Sequence, residues 1–204
     1  LWRIIGVFND GANGEEVIRV RRHYEKNSYP TMVYDSNSTN YFPNTTIYNT
    51  LSSTYNLTNY SHTVNFKMYL GTSTSYTSLT SSGWYTTERG TTPGKTAANS
   101  YNGSTSFIGS VGLIYLSDYG YAVLASDCPR TKELFSYDGT AACYNNNWLF
   151  QGNSSDQWLI SPSASDANRA FRVTGRGYVN DTGFVTSALA SSPVMSLEAG
   201  VMVK

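Results

Sequence analysis

Charged residues are scarce in this sequence. Asp, Glu, Lys and Arg make up 14% of its 204 residues, and their formal charges sum to zero, whereas a typical soluble domain has roughly 25% charged residues. No basic patch of the kind that binds nucleic acid is visible, so we predict no nucleic-acid partner. Long apolar runs are also absent. Because a membrane helix needs about 18 or more consecutive apolar residues, we predict no membrane span in this sequence.

Metal-ligating residues are equally few. The chain has two cysteines, Cys128 and Cys143, and two histidines, His23 and His62, scattered along its length. This set does not match the usual zinc sites, and we predict no metal. The two cysteines predict either a disulfide or two buried free thiols. The disulfide is favoured because the charge-poor, hydroxyl-rich composition is typical of secreted proteins, which fold under oxidising conditions.

Recognisable catalytic motifs are missing too. The sequence has no Gly-x-Ser-x-Gly elbow, Walker loop, dinucleotide fingerprint or His-Glu-x-x-His motif, and we predict no catalytic residue and no cofactor. Glu88 and Arg89 are adjacent charges in an uncharged neighbourhood. A structural ion pair or turn-holding hydrogen-bond set is favoured for them over a ligand contact. Trp148 and Trp158 are expected in the core rather than in a stacking platform for a sugar.

Hydroxyl, amide and tyrosine side chains are abundant. Ser, Thr and Asn account for one third of the residues, and Tyr contributes 17. Disordered chains are poor in aromatic residues, so the 14% aromatic content indicates a folded protein. Tyr, Ser, Gly and Asn also dominate the binding loops of antibodies. The composition is therefore typical both of a β-rich scaffold with polar loops and of a binding surface.

Apolar alternation and turn signals predict the secondary structure. Strands are predicted at 1–8 and 16–24, joined by a hairpin loop, and a helix within 44–56 with Asn44 or Thr45 as its N-cap. A second short helix is predicted to start at Asp118, capped by Ser117. Further strands are predicted at 63–71, 111–116, 145–150, 157–161, 169–174 and 177–179, with a long loop over 84–104 and a terminal strand pair over 193–204. The result is a single α+β domain over residues 1–204, strand-dominated, with two short helices and long loops.

Several sequence blocks occur in a specific order: LWRIIGVFN, KMYLG, YTTERGTT, VGLIYLSDYGYA, the Cys128–Cys143 region, NNNWL, QWLISP and AFRVTGRGYV. In this order they resemble a family of extracytoplasmic domains from gut Firmicutes and related metagenomes, often carried behind a pilin-like or membrane-anchoring N-terminus. The closing pattern also resembles the C-type-lectin-like fold of formylglycine-generating enzymes and of variable proteins diversified by retroelements. The resemblance implies a C-type-lectin-like domain with an anchor or assembly segment upstream.

The resemblance further implies a ligand-binding face within residues 163–181. The framework positions would be Trp158, Ser161, Pro162, Ala170, Val173, Gly177 and Val179. The exposed polar positions between them would bind the ligand, and these are Ser163, Ser165, Asp166, Asn168, Arg169, Arg172, Arg176, Tyr178, Asn180 and Asp181.

The chain departs from these relatives in two places. Ala190-Ser191-Ser192-Pro193 stands where the family has Gly-Val-Arg-Pro, so the framework arginine is missing. The enzymatic relatives use a copper-binding cysteine pair, whereas Cys128 and Cys143 lie upstream in a loop of structural type. The oxidase activity is therefore not carried over to this chain.

Three hypotheses follow for the function. The leading one is a non-enzymatic, extracellular recognition or adhesion domain on a bacterial surface, with an unknown protein or glycan as its ligand. The second is a structural subunit of a pilus or extracellular filament, in which copies pack together without charge repulsion. The third, and least favoured, is a copper-dependent oxidase or a cofactorless hydrolase.

Overall fold

The described part of the chain forms two β-sheets and a two-stranded ribbon. The computed structural model describes residues 1–25, 28–92, 94, 105–150, 152 and 155–201. The first sheet is antiparallel and contains Trp2–Phe8 (β1), Val17–Arg22 (β2), Thr63–Val64 (β4) and Val194–Glu198 (β11), arranged in the order β1-β2-β11-β4. β1 and β2 confirm the predicted N-terminal hairpin. Their register is irregular between Ile4 and Gly6.

The second sheet has five strands. They are Thr31–Val33 (β3), Gln157–Pro162 (β7), Arg169–Val173 (β8), Val179–Phe184 (β9) and Ala188–Ala190 (β10), in the order β3-β10-β7-β8-β9. Only the β10–β7 pair is parallel among these described strands. The ribbon pairs Phe66–Tyr69 (β5) with Ser106–Gly109 (β6). The strands predicted at 157–161 and 169–174 are confirmed, and the third strand of that group begins at Val179.

Four short α-helices occur in the described residues: Thr46–Thr54 (α1), Ser81–Glu88 (α2), Leu116–Tyr121 (α3) and Ala141–Asn145 (α4), with 3₁₀ turns at Phe42–Asn44, Tyr76–Ser78 and Leu134–Gly139. α1 confirms the helix predicted within 44–56. Thr45 is its N-cap and accepts a hydrogen bond from the Tyr48 N–H at 3.3 Å. Ile47 and Leu51, one helical turn apart, are both fully buried.

Large aromatic side chains fill the core between these elements. Trp84, on α2, meets Phe171, on β8, edge to face at 4.9 Å between ring centroids. Trp158, on β7, meets Tyr34 in the same way at 5.2 Å. All four side chains are fully buried, so Trp158 is a core residue as predicted. The structure confirms a strand-rich α+β protein with a few short helices, consistent with one small domain.

Several local predictions are wrong. Residues 111–115 are buried, but the described pairing there is one isolated bridge, from Gly112 to Val194, in place of a strand. α3 begins at Leu116 rather than Asp118, because the Asp118 carboxylate accepts the Tyr115 N–H at 3.1 Å and caps the helix earlier. Residues 145–150 end α4 and form a turn instead of a strand. α2 occupies the start of the predicted 84–104 loop, of which residues 93 and 95–104 lie outside the described residues.

Of the strand pair predicted over 193–204, β11 confirms the first strand, and the second falls mainly on residues outside the described part of the chain. The preceding strand, β10, belongs to a different sheet from β11. The segment Ser191–Pro193 carries the chain from one sheet to the other. The Ser191 N–H donates to the Pro30 carbonyl, and the Pro193 carbonyl accepts from the Arg22 N–H, both at 2.9 Å. Here the chain departs from the Gly-Val-Arg-Pro pattern. Residues 202–204 lie outside the described residues.

Candidate functional site

The loop of residues 163–169 joins β7 to β8 and is held from inside the protein. Asn40 is fully buried beneath it. Its side-chain nitrogen lies 3.0 Å from the carbonyl oxygens of Ser163, Asp166 and Arg169. An amide group carries two hydrogens, so one of them is shared. The Ser163 N–H also donates to the Arg169 carbonyl at 3.1 Å, which closes the loop at its base.

Ser163 and Asp181 bond to each other beneath the loop. The Ser163 hydroxyl donates to the Asp181 carboxylate at 2.8 Å, and Ser165 reaches the same oxygen at 3.3 Å. Burial, together with a hydrogen bond to Asp181, raises the pKa of Tyr76 to about 12. Ser163 is fully buried, and Asp181 is 8% exposed. The expectation that these two side chains lie on an exposed face is wrong, because they hold the loop in place.

Arg172 is likewise bonded within the protein. Its guanidinium pairs with Asp156 at 2.6 Å, donates to the Asn180 side-chain oxygen at 3.1 Å and donates to the Thr182 hydroxyl at 3.0 Å. The other Asp156 oxygen accepts the Gly175 N–H at 2.8 Å. Asn180 is buried, again contrary to the expected exposure. These bonds tie β8 to β9 and to the residues that precede β7.

The remaining predicted residues separate into two groups at opposite ends of the β8–β9 hairpin. Four residues of β8, 170–173, lie between them, which at about 3.3 Å per residue is roughly 13 Å. Arg176 and Tyr178 lie at the turn end, where Arg176 approaches Asp138 at 3.5 Å and Tyr178 meets Phe135 edge to face. At the other end is a surface that we call the loop face, composed of Ser165, Asp166, Asn168, Arg169 and Phe184. The ten predicted residues therefore do not form one continuous face.

The loop face combines exposed polar groups with one exposed aromatic ring. Ser165 and Asn168 are exposed, while Asp166 and Arg169 are partly exposed. Arg169 pairs with Asp166 at 3.1 Å and lies 4.8 Å over the ring of Phe184, whose side chain is 53% exposed. These contacts fix the guanidinium between an acid and an aromatic ring, and leave the Asn168 amide available at the surface.

A second candidate region is a buried cluster of charged side chains, which the sequence did not predict. Arg19, on β2, is fully buried and pairs with Asp10 at 2.6 Å and with Asp118 at 3.7 Å. Arg89 reaches the same Asp10 oxygen at 3.2 Å and lies 3.9 Å from Glu88. These contacts agree with the prediction that Glu88 and Arg89 form a structural ion pair or hydrogen-bond set. The cluster joins β2, α2 and α3.

Glu88 caps the start of α3, although it lies far from this helix in the sequence. Its two carboxylate oxygens accept from the Ser117 N–H at 3.0 Å and from the Ser117 hydroxyl at 2.5 Å. Burial raises the pKa of Glu88 to about 8, against the opposing effect of these hydrogen bonds. Burial therefore makes the Glu88 carboxyl easier to protonate than that of an exposed glutamate. A buried acid with a raised pKa is a recognised sign of an active site, but here both oxygens are engaged by the helix that they cap.

A cleft of about 360 Å³ opens beside this cluster. Three aromatic side chains on its rim, Tyr85, Tyr121 and Trp148, are 43%, 47% and 37% exposed. Its polar lining residues Ser117 and Asp118 are buried. We call this the aromatic cleft, defined by Ile5, Phe8, Tyr85, Ser117, Asp118, Tyr121, Ala122 and Trp148. The expectation that Trp148 lies in the core is wrong.

The cysteines lie close to the Trp148 segment. Cys128 and Cys143 form the predicted disulfide, which links the residues after α3 to α4, immediately before Trp148. The Asn147 side chain donates to the Tyr119 carbonyl at 2.8 Å and accepts the Leu149 N–H at 2.9 Å. The turn that carries Trp148 is thereby fixed against the end of α3.

A candidate metal site and a membrane-spanning helix are both absent from the residues that the structure describes. Within those residues, no group of three or more His, Cys, Asp or Glu side chains is arranged to hold a metal ion. In the same part of the chain, no helix has the length and apolar character needed to cross a membrane. Comparison with protein-family models, curated proteins and solved structures found no match to this chain.

Proposed function

We propose that this chain is a non-enzymatic recognition or adhesion domain with a C-type-lectin-like fold, displayed outside the cell on a bacterial surface. The observation that carries this proposal is the Asn40 side chain, which lies 3.0 Å from three carbonyls of the 163–169 loop. The loop is thereby fixed from within, while Asn168 and its neighbours on the loop face remain exposed.

A loop that is ordered before binding loses little conformational entropy when it meets a ligand. The buried bonds of Ser163, Asp181 and Arg172 keep the backbone in place without using the exposed Asn168 side chain for that purpose. This division between supporting and exposed side chains is what a binding site on a rigid scaffold requires. The disulfide agrees with an extracellular location, where such bonds persist.

The test uses a double variant, Asn168→Ala with Arg169→Ala, which removes two polar groups from the loop face. Binding of the purified chain is measured by biolayer interferometry against immobilised mucin, fibronectin and collagen. We expect affinity for the captured glycoprotein to fall about tenfold or more. The matched control is Asn59→Ala with Arg3→Ala, the same two residue types at other exposed positions. Equal binding by wild type and the loop variant, or no binding by wild type, counts against the proposal.

A second candidate function is assembly into a filament, and the exposed edge of the first sheet favours it. β1 pairs only with β2 among the described strands, and its Ile4 and Val7 side chains are 48% and 56% exposed. An apolar edge strand of this kind can pair with another chain. Electron microscopy of purified protein distinguishes the two candidates. Filaments that disappear in the Ile4→Lys, Val7→Lys variant would support assembly, whereas monomers in the wild-type sample would contradict it.

A further inference from the structure

We propose that the aromatic cleft binds one or two rings of a neutral saccharide. This inference concerns different residues from the loop face and does not depend on it. Three features of the cleft carry the argument: its aromatic rim, its buried polar lining and the charge balance behind it.

The rim presents aromatic rings that are exposed yet fixed in position. The Arg89 guanidinium lies 3.7 Å over the Tyr85 ring, and that of Arg130 lies 5.1 Å from the Tyr121 ring. Trp148 is carried by the turn that Asn147 secures to α3. A pyranose has a face of C–H groups with partial positive charge, which is attracted to the negative face of an aromatic ring. Rigid rings offer this contact with little loss of side-chain entropy.

The buried lining supplies acceptors for sugar hydroxyls. One Asp118 oxygen accepts the Tyr115 N–H at 3.1 Å, and the other lies 3.7 Å from Arg19. Because an ionised carboxylate has about four acceptor sites, these contacts leave capacity for a ligand hydroxyl. An apolar wall with a few placed polar groups is the usual make-up of a small-molecule site.

The charges behind the cleft favour a ligand without net charge. Arg19 and Arg89 balance Asp10 and Asp118, and burial favours the neutral form of Glu88 by raising its pKa to about 8. An ionic ligand would place an uncompensated charge beside this balanced, largely buried cluster, which is unfavourable. The volume of about 360 Å³ lies near the lower end of the range of ligand pockets, roughly 300–1,000 Å³. A cleft of this volume can hold one or two sugar rings of a ligand.

The test is saturation-transfer NMR of the whole chain with five neutral sugars and two charged ones. The neutral sugars are methyl glucoside, methyl galactoside, methyl mannoside, N-acetylglucosamine and lactose, and the charged sugars are N-acetylneuraminate and glucosamine. We expect transfer to at least one of these neutral sugars. Trp148→Ala and Tyr121→Ala should each weaken its binding about tenfold, and Trp148→Phe should retain part of it. Both altered side chains are partly exposed, so thermal melting should confirm that the variants fold.

Two controls separate the cleft from the loop face. Phe184→Ala removes an exposed aromatic ring elsewhere, and the Asn168→Ala, Arg169→Ala pair removes loop-face polar groups. Both should leave sugar binding unchanged. The proposal is overturned by absence of transfer to every neutral sugar, by transfer only to charged sugars such as N-acetylneuraminate or glucosamine, or by sugar binding that survives in Trp148→Ala and Tyr121→Ala.

Discussion

Replacing Asn40 with alanine tests whether the 163–169 loop is held from within. The Asn40 amide contributes two hydrogens to three carbonyls, and a typical intramolecular hydrogen bond contributes about 1 kcal/mol net. The Ser163 carbonyl in that group is buried, and leaving it without a partner costs a further 1 kcal/mol or so. We therefore expect the free energy of unfolding to fall by about 3 kcal/mol.

Urea denaturation measures this loss, and hydrogen exchange locates it. The amides of Ser165 and Asp166, which donate to the Ser163 hydroxyl in the wild-type protein, should exchange faster in the variant than amides of β7 and β8. A loss below about 1 kcal/mol, with unchanged exchange in the loop, would refute the reasoning. Such a result would show that the loop is ordered without Asn40.

The Asn40→Asp variant tests the same support through the pH dependence of stability. A carboxylate at this buried position would face three carbonyl oxygens, so the folded state favours its protonated form and raises its pKa above the unfolded value of about 3.9. The unfolded chain then releases the proton first as pH rises. The variant should therefore be more destabilised at pH 7 than at pH 4, relative to wild type measured at the same pH. Equal destabilisation at both pH values would contradict this.

Two further predictions concern the region around the aromatic cleft. The Cys128→Ala, Cys143→Ala double variant should lose about 3 kcal/mol of unfolding free energy in urea, the value expected for closing a loop of about 15 residues; a loss below about 1 kcal/mol would show that the unfolded chain is not constrained by this bond. Glu88→Gln should flatten the pH profile of stability. In wild type the folded pKa of about 8 lies above the unfolded value of about 4.3, so stability should decline between those two pH values; parallel profiles for the two proteins would contradict the assignment.

Local signals explain which parts of the fold could be predicted from the sequence. The N-terminal hairpin, α1 and the β8–β9 hairpin are set by alternation, by a capping threonine and by a glycine-containing turn, all of which are short-range features. Gly177 shows this well, since it adopts a φ of +86° in the turn between β8 and β9, a conformation that favours glycine. The positions of these elements are determined by their own local sequences.

Long-range contacts explain the failures. Glu88 and Ser117 lie 29 positions apart, so the bonds that support the start of α3 leave no signal around either residue. Alternation placed Arg19 in a strand but did not show that it faces inward, because its partners Asp10 and Asp118 are supplied by other elements. Trp148 was expected in the core by residue type alone. Its position on the rim depends on the Asn147 bonds and on the nearby disulfide.

Both candidate surfaces are supported by buried amide and hydroxyl side chains, which agrees with the charge-poor composition of the chain. Asn40 supports the 163–169 loop, and Asn147 supports the turn that carries Trp148. Each does so by donating hydrogen bonds to backbone carbonyls. A lysine or arginine could make similar bonds, but it would bring a charge into the interior, and an unpaired buried charge is far more unfavourable than a hydrogen-bonded amide. Arg19, one of the two arginines buried in the described residues, is paired with two carboxylates. Abundant Asn, Ser and Thr thus allow long loops to be fixed in place with few charges, and a fixed loop is what each proposed binding site requires.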